Sequence, residues 1–352
     1  MKPHSSISNS DHTMKKRLSY PKRFLIFGLL VSIVFFCACA TVYALEKKTD
    51  DRTGTQKITM YQMQDFYSLP EQSVDVMILG SSHAMCTYDP AAIQEHTGLR
   101  AFNLGTALQQ PDTGYYLLEE IYRFQTPKYL ILDVYFKVMQ NERSTEQAQT
   151  VLLEMKPALP RLALWWSALD LDSQLDYFNN HVNPFGRIHS ILSNWGPARS
   201  ALDEPRNQNY RGLGFYLTSG VVSDDDLTAE KHPFPISYAP YTDRQIEYLK
   251  RTVALAREHG TQVLLVTAPI PPTILGRIDY YPQLHQDTQR LAEELGLSYH
   301  DYCMDQLNGA LSLTDQDFAD QGHLNQAGVS HFTPYFFKDL DVFLKEGGAG
   351  HE

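Results

Sequence analysis

The chain has 352 residues, 43% of them apolar, and a formal net charge of −11. That length suffices for one large domain or two small ones with a substantial core, and the acidic balance argues against nucleic acid as a partner. The charge is uneven: ahead of Phe24 stand Lys2, Lys15, Lys16, Arg17, Lys22 and Arg23, against Asp11 alone.

This basic segment, residues 1–23, abuts FLIFGLLVSIVFFCACATVYAL, residues 24–45, which holds no charged side chain. About 20 apolar residues cross a bilayer as a helix. Basic flanks stay on the cytoplasmic side, so the expectation is a single span with its N-terminus cytoplasmic and the rest of the chain outside. A cleaved signal peptide is the rival reading, with Val42 and Ala44 as the small-residue site. Cys37 and Cys39 fall in the apolar run outside any lipobox context. Cys86 and Cys303, beyond it, read as two semi-buried thiols rather than a disulfide framework. Residues 46–73 are polar and mixed, and read as a stalk.

A series of short apolar runs follows: VDVMILG (74–80), RAFNLG (100–105), KYLILDVYF (128–136), TQVLLVTAP (261–269) and LSYHDY (297–302). Helical patterns lie between them. DTGYYLLEEIYRFQ places Tyr115, Leu118, Ile121 and Tyr122 on one face. TDRQIEYLKRTVALAREHG and YPQLHQDTQRLAEELG both stop at a glycine, Gly260 and Gly296. Strands alternating with amphipathic helices predict an α/β fold with a mostly parallel five-stranded sheet covered on both faces. Residues 74–346 would form this domain, and 347–352 a tail. About 137–239 breaks the rhythm and would be an insertion over the ligand-binding edge of the sheet. In it, Trp165 and Trp166 fit a packed helix. Trp195, between Asn194 and Gly196 in a loop-like stretch, is a candidate substrate contact. RGLG (211–214) reads as a loop requiring glycine dihedrals.

The chemistry concentrates at the strand ends. A strand that stops at Gly80 and turns sharply would hold Ser82 at the sheet's carboxyl edge, with backbone N–H groups aimed at the same spot. Such a hydroxyl needs a base. His83 is adjacent in sequence and is placed to contact substrate or brace the turn. The better base is His323 in DFADQGHLNQAG, with Asp320 three residues before it to hold the imidazole's tautomer. Asp317 is a less favourably spaced rival, and His331 reads as an ordinary residue of the next helix. Neither a metal nor a cofactor is expected.

These segments resemble the SGNH (GDSL-like) hydrolase superfamily. GSSH is similar to its nucleophile block in the GxSH form, making Ser82 the nucleophile. FNLGTALQQ is similar to the second block, whose Gly105 would lend an N–H to the oxyanion hole beside that of Ser82. DQGHLNQAG is similar to the DxxH block and implies Asp320 and His323. The resemblance implies a three-layer α/β/α sandwich. It departs after the third strand, where the family's G-x-N-D block supplies an asparagine donor and this chain has Asp133, whose carboxylate cannot donate. Gln109, or Gln110, could supply an N–H instead. The layout of one membrane helix and a GxSH serine resembles the tethered relatives that acylate cell-envelope polymers such as teichoic acid or alginate. Those work with a membrane-bound O-acyltransferase (MBOAT). The resemblance thus implies a tethered acyltransferase or esterase acting on a cell-envelope polysaccharide or teichoic-acid-like glycan. A tethered or secreted carbohydrate esterase or lipase-like hydrolase, and a non-catalytic glycan-binding partner of such an acyltransferase, are the alternatives.

Overall fold

The computed structural model describes residues 20–46, 54–183, 206–235 and 237–348. Two units are described separately. The first contains helix α1 (Tyr20–Glu46) and the short turn Phe178–Val182. In α1 the window Tyr20–Ala38, with a mean hydropathy of 1.8, is long and apolar enough to cross a membrane. Its large side chains, from Phe24 to Phe36, are exposed rather than packed in a protein core.

The second unit is built on a five-stranded sheet of order β2-β1-β3-β6-β7, every neighbouring pair parallel. Its strands are β1 (Val76–Leu79), β2 (Ala101–Asn103), β3 (Tyr129–Asp133), β6 (Gln262–Thr267) and β7 (Ser298–Asp301). The hairpin β4 (Tyr210–Gly212) and β5 (Phe215–Tyr216) forms a separate ribbon. All five predicted strands are present, and the sheet is wholly parallel rather than mostly so. The central strands are continuous aliphatic runs because both faces are covered: Val76 to Leu79, Leu130 to Asp133 and Val263 to Thr267 are buried without alternation. From β2 the chain crosses back past β1 to reach β3. A crevice that can receive a ligand therefore opens at the carboxyl ends of β1 and β3.

The helices, in chain order, are α2 (Gly54–Ser68), α3 (Ser82–Thr87), α4 (Pro90–Thr97), α5 (Pro111–Tyr122), α6 (Phe136–Met139), α7 (Thr145–Glu154), α8 (Leu159–Ala168) and α9 (Leu171–Tyr177). Beyond the hairpin come α10 (Asp243–Glu258), α11 (Pro272–Leu275), α12 (Tyr281–Leu295), α13 (Tyr302–Leu307) and α14 (Gln326–Gly348). Their ends follow local chemistry. Thr242 caps α10 by accepting from the Gln245 N–H, and Gly296 ends α12 in the left-handed conformation.

The expected stalk, 46–73, contains a helix. Residues 47–53 lie outside the described residues, but from Gly54 the segment is α2, a helix of the domain itself. Ile58, Met60, Tyr61, Met63 and Phe66 are buried. Its mixed composition hides a polar side chain that works inside: Gln62, fully buried, donates from Nε2 to the carbonyls of Gly105 (2.7 Å) and Gly214 (2.8 Å). Those carbonyls belong to the turn after β2 and to the β4–β5 turn. The second is the RGLG segment, where Gly212, Leu213 and Gly214 all take positive φ. It docks on the edge of the sheet, the Leu213 carbonyl accepting from the Asn103 N–H at 2.9 Å.

Gly214 illustrates how tight that docking is. A Cβ there would lie 1.7 Å from the Asn103 carbonyl oxygen, whereas one at Gly220, also at positive φ, meets nothing within 4 Å. Gly220→Ala is expected to cost about 1–2 kcal/mol for the left-handed backbone alone. Gly214→Ala adds the collision and should cost about 3 kcal/mol or more. Urea unfolding of the two variants side by side checks this; equal losses would contradict the docked geometry.

Candidate active site

Strand β1 ends at Leu79 and the chain turns through Gly80 at φ +145°. A Cβ at Gly80 would sit 2.7 Å from the Asp133 Cβ, 2.9 Å from the Asp133 carbonyl oxygen and 3.0 Å from the Ala84 Cβ. Only glycine lets β1 run this close to the end of β3 and then reverse into α3. Ser81 caps that helix, its hydroxyl accepting from the His83 N–H at 3.2 Å. Ser82 is the first helical residue, and its side chain points away from the turn.

The second half of the site comes from the other end of the domain. Between the single 3-10 turn Asp315–Asp317 and α14, the chain forms a narrow loop closed by an antiparallel bridge between Phe318 and Leu324. Asn325 holds its base: Nδ2 donates to the carbonyls of Gly220 (3.0 Å) and Gln316 (2.8 Å), and Oδ1 accepts from the Gly328 N–H (3.0 Å). Gly328 must be glycine, since a Cβ would lie 2.0 Å from the Asp317 carbonyl. At the loop's tip Asp320 Oδ1 accepts the N–H groups of Gly322 and His323, both at 2.9 Å, which folds the carboxylate back towards the imidazole.

The result is a continuous line of hydrogen bonds. His323 Nδ1 lies 2.9 Å from both Asp320 carboxylate oxygens, and His323 Nε2 lies 2.8 Å from Ser82 Oγ. With Asp320 ionised, Nδ1 carries the proton and Nε2 is left to accept from the serine. Burial opposes the Asp320 charge, but the His323 hydrogen bond and charge, with the two backbone N–H groups, prevail and hold the carboxyl at about 2. About a quarter of the His323 side chain and half that of Asp320 remain exposed.

His83 is buried against this pair. Its ring stacks on Tyr135 with centroids 4.0 Å apart and lies 5.2 Å from the His323 ring, and a Cβ on Gly322 would come within 3.2 Å of its Nε2. Neither ring nitrogen has a hydrogen-bond partner among the described residues. Burial, then the nearby His323 charge, pushes its pKa down to about 3, so the ring is neutral.

Other expected parts of the site are engaged elsewhere. The Gly105 N–H donates to Asn103 Oδ1 at 2.9 Å, and a Cβ on Gly105 would lie 2.9 Å from the Met85 nitrogen. Gly105 therefore serves the close packing of the β2 end on α3, and does not present its N–H to Ser82. Gln109 is fully committed: Nε2 donates to the Leu104 carbonyl (2.9 Å) and Thr106 Oγ1 (3.1 Å), while Oε1 accepts from the Gly80 N–H (3.2 Å). It braces the turn from beneath. Gln110 donates to the carbonyls of Val138 and Asn141. The Ser82 N–H, by contrast, makes no hydrogen bond among the described residues. Trp195 lies outside the described residues. Asp317 pairs with His331 Nδ1 at 2.7 Å and caps Thr314, so it is a brace of the loop rather than a partner of His323. Asp133 accepts from the Ala268 N–H at 2.9 Å, while its other oxygen is buried without a protein partner. Burial first, then the Asp301 charge, pushes it up, to about 7 after the Ala268 and Tyr88 hydrogen bonds offset part of the rise.

Beside the loop, a polar groove of about 270 Å³ shares Asn325 with it and is lined also by Asn209, Arg211, Ser219 and Gln326. Comparison of the chain with protein-family models and with curated proteins finds no match.

His83 carries a test through pH. Its pKa is about 6.5 unfolded and about 3 folded, so the unfolded chain takes up the proton first. The resulting stability is complete above about 6.5 and is lost as the pH falls towards about 3. Asp133, with a raised folded pKa, carries the opposite sign up to about 7. Relative to the parent, His83→Phe should therefore gain about 2 kcal/mol of stability between about pH 7 and about pH 5. Urea titrations of both chains at the two pH values measure the difference; parallel pH dependence would contradict a neutral buried His83.

Proposed function

We propose that the chain is a membrane-tethered serine acyltransferase of SGNH type, acting through an acyl-enzyme on a cell-envelope glycan. The fold would be a three-layer α/β/α sandwich hung from α1, with the basic N-terminal segment cytoplasmic and the domain outside. One observation carries the reading: the unbroken line Asp320, His323, Ser82, assembled from residues 241 positions apart.

Each group then has a task. His323 Nε2 takes the proton of Ser82 Oγ as that oxygen attacks an acyl ester, and the Ser82 N–H faces the developing oxyanion. Collapse expels the donor's alcohol, which receives the proton from His323 and leaves an ester on Ser82. An acceptor hydroxyl, deprotonated in turn by His323, takes the acyl group and frees the serine. Asp320 stays ionised throughout and stabilises the imidazolium. The amide, hydroxyl and guanidinium lining of the groove beside Asn325 suits sugar hydroxyls, and a membrane-bound O-acyltransferase is the partner that would supply acyl groups. With water as acceptor the same steps describe an esterase.

A second reading, a non-catalytic glycan-binding partner of such an acyltransferase, is favoured by the engagement of the Gly105 N–H and the Gln109 amide, which leaves few oxyanion donors.

A fluorophosphonate probe separates the two. Labelling at Ser82 that is lost in His323→Ala supports the enzyme; no labelling across a range of pH supports the binding partner. With an acyl-p-nitrophenol donor, Ser82→Ala and His323→Ala should each lower kcat by about 10⁴-fold. Added oligosaccharide should accelerate donor consumption and become acylated. Unchanged release with only free acid formed would point to hydrolysis.

A further inference from the structure

Helices α8 and α9 form an antiparallel hairpin: Arg161 donates to the Tyr177 hydroxyl at 2.8 Å, and Gln174 donates to the carbonyls of Trp166 and Leu169. The inner stripe of α8, Pro160, Leu164 and Ala168, is buried, and α8 packs against α5 and α7. That satisfies one face. A second apolar stripe points outward. Leu159 is 80% exposed, Trp166 71% and Leu171 69%, with Leu162 and Leu175 more than half exposed. Positions 159, 162 and 166 share one side of α8, and 171 and 175 one side of α9. A lone exposed leucine needs no explanation. Five large exposed apolar side chains on one small hairpin do.

What covers them is constrained by the chain itself. Helix α1 is apolar enough to lie in a bilayer, and only residues 47–53 separate its end from the start of α2. That linker spans at most about 27 Å, and α2 adds about 22 Å. At the far end of α2, Tyr67 accepts from the backbone N–H of Lys156, three residues before α8 begins. Such a tether keeps the hairpin within reach of the membrane surface at all times. Its exposed acids, Asp170, Asp172 and Asp176, outnumber Arg161, which favours a zwitterionic surface over an anionic one and shallow seating over insertion.

We infer that the α8–α9 hairpin rests on the bilayer, with Leu159, Leu162, Trp166, Leu171 and Leu175 at the headgroup–acyl boundary. This rests on the proposed anchoring by α1 and is independent of the chemistry at Ser82. The contact would fix which way the domain faces, holding the Ser82 site at a set orientation to the membrane instead of letting it tumble on its linker.

The test uses the full chain in phosphatidylcholine nanodiscs. Tryptophan occurs at 165, 166 and 195, so α1 is silent in tryptophan emission excited at the red edge, where its tyrosines do not absorb. In the Trp165→Phe/Trp195→Phe chain, replacing the lipids by analogues brominated near the top of the acyl chain should quench most of the emission. In the single variant Trp166→Phe, which keeps the remaining sequence native, most of the parent's quenching should disappear. A chain that co-elutes with the discs yet shows equal Trp166 emission in both lipids overturns the inference, as it would if the hairpin faced a protein partner or a second copy. A chain that fails to co-elute with discs overturns the anchoring, and this inference with it.

Discussion

The constraint on which the rest depends is the close approach at Gly80. Strand β1 must stop, reverse and enter α3 while passing within contact of the end of β3, and no side chain fits there. Everything beneath the turn answers to that demand. Gln109 takes the Gly80 N–H, Thr106 donates to the Gly80 carbonyl at 3.1 Å, and Asp133 packs its Cβ against the missing one. Gln109, the expected substitute oxyanion donor, is therefore spent on the elbow, and the Gly105 N–H is spent on Asn103. The same turn places Ser82 at the start of α3 with its hydroxyl on His323 Nε2 and its N–H without a hydrogen bond among the described residues.

Much of this was legible because it is written in local patterns. Aliphatic runs ending at Gly80 and Gly105 mark buried parallel strands, and the three-residue spacing of Asp320 and His323 matches a carboxylate folded back by its own turn. The illegible parts are those whose reason lies far away in sequence. Nothing local in the polar, mixed segment around Gln62 says that its amide will bridge two carbonyls from segments 43 and 152 residues distant. Asn103 and Asn325 look like solvated amides until the backbone each one satisfies is known. The RGLG turn advertised its glycines but not the strand edge it would cap. Trp166 is exposed rather than packed because its helix carries two apolar faces, and only the inner one, with Leu164 and Ala168, is buried.

Electrostatics sorts the titratable groups around Ser82 by access to water and to partners. Asp320 is folded onto two N–H groups and an imidazole, and stays charged. Asp133, at the end of β3 against Gly80, is buried with one oxygen lacking a protein partner, which pushes its carboxyl up to about 7. His83 has no carboxylate in hydrogen-bond contact and is neutral. The loop thus meets one negative charge and one ionisable imidazole, and the neutral His83 ring fills the space behind them. A second imidazolium there would repel the one His323 must become, raising the cost of every proton it takes. An uncharged His83 would thus favour the base role proposed for His323.

The openness of the pair bears on how an acyl group would be steered. With half of Asp320 and a quarter of His323 exposed, this loop does not exclude water by burial. In the proposed transfer, selection of a sugar hydroxyl over water would have to come from holding the acceptor in place, where a fixed geometry is worth effective molarities of up to about 10⁵–10⁸ M. Two features of the chain work in that direction. The groove that shares Asn325 with the Asp320–His323 loop offers fixed polar groups, and Asn325 ties its wall to the backbone that carries His323. A hairpin seated on lipid would orient the whole assembly towards a surface on which both acyl donor and polymer are confined. On this view, discrimination against water resides in the insertion and the tether, and the serine, histidine and aspartate are indifferent to which hydroxyl arrives.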